Sequence, residues 1–163
     1  MTQPDSGSAQ AAGRSKGIGY IELMLTIALV ALLGAIGVPS YNSYKKRMAI
    51  TQAITDIKLI EQALARYEVQ SEQGGLPASL DALGSAVVND PWGNPYQYLN
   101  MAGANRGQMR KDRNLVPINS DFDLYSMGPD GRSVGPLTAA MSRDDIVRAG
   151  NGTFVGTAAD YVP

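Results

Sequence analysis

The arrangement of apolar and polar residues changes three times along this 163-residue chain. From Leu23 to Val38 no residue is charged, and Thr26 is the only polar side chain. Coiled as one helix, 18–38 would be roughly 31 Å long at about 1.5 Å per residue, close to the ~30 Å hydrocarbon thickness of a bilayer. The pattern predicts one membrane-spanning helix over 18–39. Beyond it, over 40–73, Ile50, Ile54, Ile57, Ile60, Leu64 and Tyr67 recur at steps of three and four, with Gln52, Asp56, Gln62 and Arg66 largely opposite. That is an amphipathic helix with one stripe for a globular head. Pro39 withholds a backbone donor and, with Gly34 and Gly37 nearby, is expected to bend or weaken the helix at the junction.

Gly74 and Gly75 are placed to end the helix, and 74–163 reads as a head of short elements. Leu80 and Leu83 point to a short helix started near Ser79. Pro91 to Pro95 is a turn cluster, and Tyr96 to Leu99 a short strand. Phe122, Leu124 and Ser126 alternate with Asp123, Tyr125 and Met127 in a second strand, which stops at the Gly128-Pro129-Asp130-Gly131 turn. Asn151-Gly152, between Ile146-Val147 and Phe154-Val155, predicts a final hairpin. The fold class is therefore α+β: a long N-terminal helix packed on a small antiparallel sheet.

Charge and composition narrow the chemistry. Fourteen Lys and Arg against fifteen Asp and Glu give a net charge of -1, which supplies no positive field for nucleic acid. With no histidine and no cysteine, imidazole catalysis, thiolate chemistry, sulfur-ligated zinc and disulfides are all excluded. No nucleotide-binding glycine loop is present. Residues 1–17 are rich in Gly, Ser, Ala and Gln and read as disordered; Arg14 and Lys16 keep this end cytoplasmic, so the head is exported. No Ala-x-Ala cleavage site follows Val38, so the apolar helix is expected to be retained. Two charge groups in the head have solvent-facing readings. Asp121 and Asp123 read as exposed or edge-blocking charges. Arg106, Arg110, Lys111 and Arg113 read as a solvated loop, with an acidic subunit surface as the other option.

One residue does not suit a simple anchor. Glu22 sits near the start of the apolar run, where an acid costs on the order of 2.5–3.5 kcal/mol at mid-bilayer depth and less near the interface. The helix's own cations, Lys45, Lys46 and Arg47, are at its other end, so a neutralising partner must come from another chain. Around it, Lys16-Gly17-Ile18-Gly19-Tyr20-Ile21-Glu22-Leu23-Met24 resembles the prepilin signature of the type IV pilin superfamily. The resemblance implies cleavage after Gly17 by a membrane peptidase and methylation of the new N-terminal amine on Ile18, a position where the family mostly has Phe. Counted from Ile18, Glu22 is residue five and Pro39 residue twenty-two, the family's places for its assembly acid and helix-bending proline. The cut exposes an α-ammonium with a reference pKa of about 8, which Glu22 of a neighbouring copy can neutralise. Donor and acceptor lie on different surfaces of one molecule, so the contact repeats without closing and builds a helical filament.

In the head, Asp90 to Tyr96 and Phe122 to Gly131 are similar to the major pseudopilins of type II secretion. This implies a pilin-like fold, an inner-membrane subunit with a periplasmic head, and a role in a pseudopilus that assists export of folded proteins. The implied partners are copies of itself, minor pseudopilins, the prepilin peptidase, an inner-membrane assembly platform with its cytoplasmic ATPase, and the outer-membrane secretin. It also implies a structural calcium ion in the loop after the second strand, held by the Met127 carbonyl, Asp130, and Asp145 ahead of Asp144. Oxygen ligands suit that ion. The family's Asn-Trp after the later acid is replaced here by Val147-Arg148-Ala149. A type IV pilus subunit is the alternative within the superfamily. A membrane-anchored periplasmic enzyme or binding domain is the alternative outside it, and no Ser/Lys pair at motif spacing supports it.

Overall fold

The computed structural model describes residues 17, 19–71, 74–86, 89–113 and 116–162. Helix α1 spans Tyr20–Gln70 and contains Pro39, so the helical assignment continues through the proline. The chain divides between Asn42 and Ser43 into two units.

In the first unit the helix is long and apolar enough to cross a membrane. Its Leu, Ile and Val side chains stand exposed, a larger apolar surface than soluble proteins leave in water. The Thr26 and Ser40 hydroxyls turn back on the helix. Thr26 Oγ1 donates to the Leu23 carbonyl at 2.8 Å, and Ser40 Oγ donates to that of Ile36 at 3.0 Å. Neither presents an unsatisfied donor to hydrocarbon.

In the second unit the rest of α1 lies against a four-stranded antiparallel sheet. The strands are β1 (Gln97–Asn100), β4 (Phe122–Ser126), β5 (Ile146–Ala149) and β6 (Phe154–Thr157), in spatial order β1-β4-β5-β6. A separate two-stranded hairpin pairs β2 (Lys111–Asp112) with β3 (Val116–Pro117). The expected strands and the final hairpin are all present, with Ile146 opposite Thr157 and Ala149 opposite Phe154. The helix ends at Gln70, short of the expected Gly74 and Gly75, which take φ 64° and 109°, left-handed backbone that favours glycine. A 3-10 segment at Leu80–Ala86 stands where a short helix was expected.

The core follows from the two periodicities. Ala53, Ile57, Ile60 and Leu64 of α1 pack with Leu80, Tyr96, Phe122, Leu124 and Ile146. Val147 and Ala149, on the opposite face of β5, pack with Ile118, Leu137 and Ala158. Both faces of the sheet are thus covered, and every residue of β5 is buried.

Two sequence expectations are corrected here. Asp123 is buried rather than exposed, because the chain before β2 covers its face of the sheet. It accepts the Arg110 backbone N–H at 2.6 Å and the Asn119 amide at 3.0 Å. Asp56, assigned to the polar side of the helix, is also buried and accepts hydrogen bonds from Tyr96 Oη at 3.0 Å and Gln52 Nε2 at 2.7 Å. Burial, and then the Asp56 hydrogen bond, push the Tyr96 phenol well above its ordinary value. Tyr96→Phe is expected to cost about 1.5–3 kcal/mol in a denaturant titration, since it removes a donor from a buried carboxylate.

Candidate functional site

The first part of the site is the start of α1. Gly17 is described without regular structure, and Ile18 lies outside the described residues. Glu22 occupies the first turn of α1, where a negative charge suits the helix dipole. It is exposed and, among the described residues, forms no ion pair. Lys45 lies 23 residues further along the sequence. Pro39 lies inside the helix on the same exposed apolar stretch.

The second part is the loop region between β4 and β5, with the four residues expected around a metal. Met127 follows β4 and is half-buried. Asp130 is exposed and folds onto its own turn, its Oδ1 accepting the Arg132 N–H at 2.8 Å. Asp144 is half-buried against Gly128, whose φ is 65°. A Cβ at Gly128 would fall 2.5 Å from the Asp144 carbonyl oxygen and 3.2 Å from its carboxylate, so only glycine admits this approach.

Asp145 is fully buried and faces a different partner. Its Oδ2 accepts hydrogen bonds from Arg110 Nη2 and, at 2.6 Å, from Ser133 Oγ. Burial pushes its carboxyl up to about 6, against the opposing pull of Ser133 and Arg110. Arg110, expected in a solvated basic loop, is itself buried. Its Nη1 donates to Ser133 Oγ and, at 2.8 Å, to the Val134 carbonyl, and its guanidinium lies 4.2 Å from the Tyr125 ring centroid.

The structure therefore does not gather the expected ligand set. Among the described residues no group of three acidic side chains could hold a metal ion. Asp145 already carries a cationic partner, and Asp130 is turned outward. These residues do not fit calcium: a divalent ion at Asp145 would have to share the pocket with a buried guanidinium.

Two further clusters were missed by sequence reasoning. Asp90 is buried in the Pro91–Pro95 turn, where it accepts the N–H groups of Trp92 and Asn94 and, at 2.5 Å, the hydroxyl of Ser126. Ser126 Oγ in turn accepts the Gly128 N–H at 3.0 Å, and Asn94 Nδ2 donates to the Gly128 carbonyl at 3.3 Å. The two turns are thus tied together. The spacing of Asp90 to Asn94 carried the signal, since an Asx side chain capping a turn two to four residues on is common chemistry.

The other cluster centres on Arg148. Its Nε donates to Glu61 of α1 at 2.8 Å, and its Nη1 and Nη2 fork onto Asp121 at 2.9 and 2.7 Å. Its guanidinium stacks 4.0 Å from the Phe122 ring centroid. Asp121, expected to face solvent or block an edge, is half of this pair. Gly152 makes room for it: a Cβ there would fall 2.2 Å from Glu61 Oε1.

No protein-family profile matches the chain. Among curated proteins, type II secretion system core protein G of Pseudomonas aeruginosa is 32% identical over 141 residues, covering 75% of this chain and 89% of that protein. The protein of the same name from Vibrio cholerae is 26% identical over 145 residues, covering 78% of this chain and 89% of its own length. The type IV major fimbrial protein FimA of Dichelobacter nodosus is 28% identical over 148 residues, covering 86% and 85%. Taken with the long N-terminal helix on a small antiparallel sheet, the first of these likenesses is decisive, and the chain belongs to the type II secretion system core protein G family.

Proposed function

We propose that this chain is the repeating subunit of a periplasmic pseudopilus, built by polymerisation of the cleaved protein and used to assist passage of folded proteins across the outer membrane. The observation that carries the reading is the apolar stretch of α1 with Glu22 in its first turn. That surface needs a cover, and that carboxylate needs a cation. In the membrane, lipid covers the helix. In the filament, the same surface packs on neighbouring copies, and each Glu22 meets the amine of an adjoining Ile18. The role is structural, and the energy for assembly comes from a partner ATPase. The prepilin peptidase, assembly platform, minor pseudopilins and outer-membrane secretin complete the proposed set of partners. The leader is placed in the cytoplasm and the head in the periplasm.

Deletion of the gene in its native host tests the reading. The expected result is that folded exoproteins accumulate in the periplasm, with export restored by the wild-type gene. Normal export with loss of surface pili would instead support the type IV pilus alternative, which the likeness to the fimbrial protein favours. N-terminal sequencing and intact mass of the restored protein should show a chain beginning at Ile18.

A further inference from the structure

The loop expected to hold a cation already contains one that is covalently part of the chain. Three segments meet there: Arg110 just before β2, Ser133 and Val134 after the turn that follows β4, and Ser142 to Asp145 leading into β5. The Arg110 guanidinium touches a carboxylate, a hydroxyl and a carbonyl oxygen, on Asp145, Ser133 and Val134. These are the three kinds of oxygen that a hard cation would gather. Ser142 fastens the same loop, its Oγ accepting the Val134 N–H at 2.9 Å and donating to the Val134 carbonyl at 2.8 Å. The pair is sealed, with side-chain exposures of 4% for Arg110 and 0% for Asp145. Two buried side-chain atoms in the described residues lack a hydrogen-bond partner, Arg110 Nε and Asp145 Oδ1. One is a donor and the other an acceptor, and both belong to this pair.

We infer that the Arg110 guanidinium does the work of a bound metal ion in this protein, closing the β4–β5 loop by an internal ion pair, so that the head folds and holds together independently of calcium. An arginine is suited to this because its planar fork reaches several oxygens at once and stays charged at every physiological pH. The chain would then keep its subunit structure where free calcium is scarce.

The test uses the full chain in detergent, with unfolding followed by fluorescence of its single tryptophan, Trp92. A real calcium site present at a hundredfold its dissociation constant would raise the midpoint by roughly 5–10 °C. The expected result is no shift beyond about 1 °C, either on adding calcium chloride or on adding EGTA. Arg110→Met should lower the midpoint by roughly 10 °C, because it strands a buried carboxylate. The double variant Arg110→Met with Asp145→Leu should recover at least half of that loss, since removing both charges leaves nothing unpaired. A wild-type midpoint that falls in EGTA or rises in calcium by several degrees would overturn the inference. So would an Arg110→Met protein that melts like the wild type. Neither readout involves secretion, so a failure here leaves the pseudopilus reading standing, and the reverse also holds.

Discussion

Replacing Glu22 by Leu is expected to abolish filament assembly and export while leaving the protein inserted in the membrane with its head folded. Leucine suits the bilayer better than glutamate, so insertion does not suffer. The head is expected to be unaffected because Glu22 belongs to the other unit and forms no ion pair among the described residues. What is lost is the partner of each neighbouring α-ammonium, which would then be carried into an apolar bundle unpaired. Stranding one member of a desolvated ion pair costs about 3–5 kcal/mol, or roughly a hundred- to several thousandfold in affinity at every subunit contact. A filament makes that contact once per copy, so a deficit of this size suppresses growth altogether. Glu22→Gln, which keeps the shape and a polar head but no charge, should fall between the two. Sheared filaments counted by electron microscopy, alongside membrane-fraction abundance, separate assembly from insertion.

The second large effect concerns the head. Arg148→Met is expected to destabilise it by about 3 kcal/mol, near the lower end for a broken buried pair because Glu61 and Asp121 keep part of their water contact. Arg148 joins α1 to β4 and the loop before it, through Glu61 on one side and Asp121 on the other. Its loss therefore loosens the helix from the sheet. The effect carries a pH signature. Burial raises the Asp121 carboxyl, but the Arg148 fork and the Phe122 N–H outweigh it and hold the group below its usual value. A depressed carboxyl contributes stability that is fully present above about pH 4 and is lost as pH falls through the lowered value. The difference in unfolding free energy between wild type and Arg148→Met should therefore be constant near neutrality and shrink in acid. Asp123 works with the opposite sign, since burial pushes its carboxyl up, but it is common to both proteins and cancels in that difference.

Much of the architecture was readable from periodicity. Ile57, Ile60 and Leu64 at helical spacing marked the buried face of α1, Phe122 and Leu124 marked β4, and Asn151-Gly152 marked the turn between β5 and β6. These signals are local: each is set by residues within one or two turns of helix or strand. The motif at Gly17, Ile18, Glu22 and Pro39 is likewise local in sequence, and its part in assembly belongs to the proposed function. The buried charges were not. Arg110 meets Asp145 across 35 residues of sequence, and Arg148 meets Glu61 across 87. A charged side chain is read as solvent-facing until its partner is known, and that partner is set by how the loops fold over the second face of the sheet. The same long-range packing explains the calcium expectation. Asp145 was expected as a calcium ligand, but the cation opposite it is Arg110, which lay in a basic run read as a loop.

In the proposed filament, Glu22 of one copy is neutralised by the amine of Ile18 on the next. Zero-length carbodiimide coupling tests it directly, since that reagent joins a carboxylate to an amine only where the two are in contact. Filaments assembled from a mixture of light- and heavy-nitrogen protein would be coupled, digested and analysed by mass spectrometry. The expected product is a peptide joining the Ile18 amine to the Glu22 carboxylate, with a substantial share of mixed-label species that only different chains can produce. Coupled peptides of single label alone, or filaments that yield no such link, would contradict it.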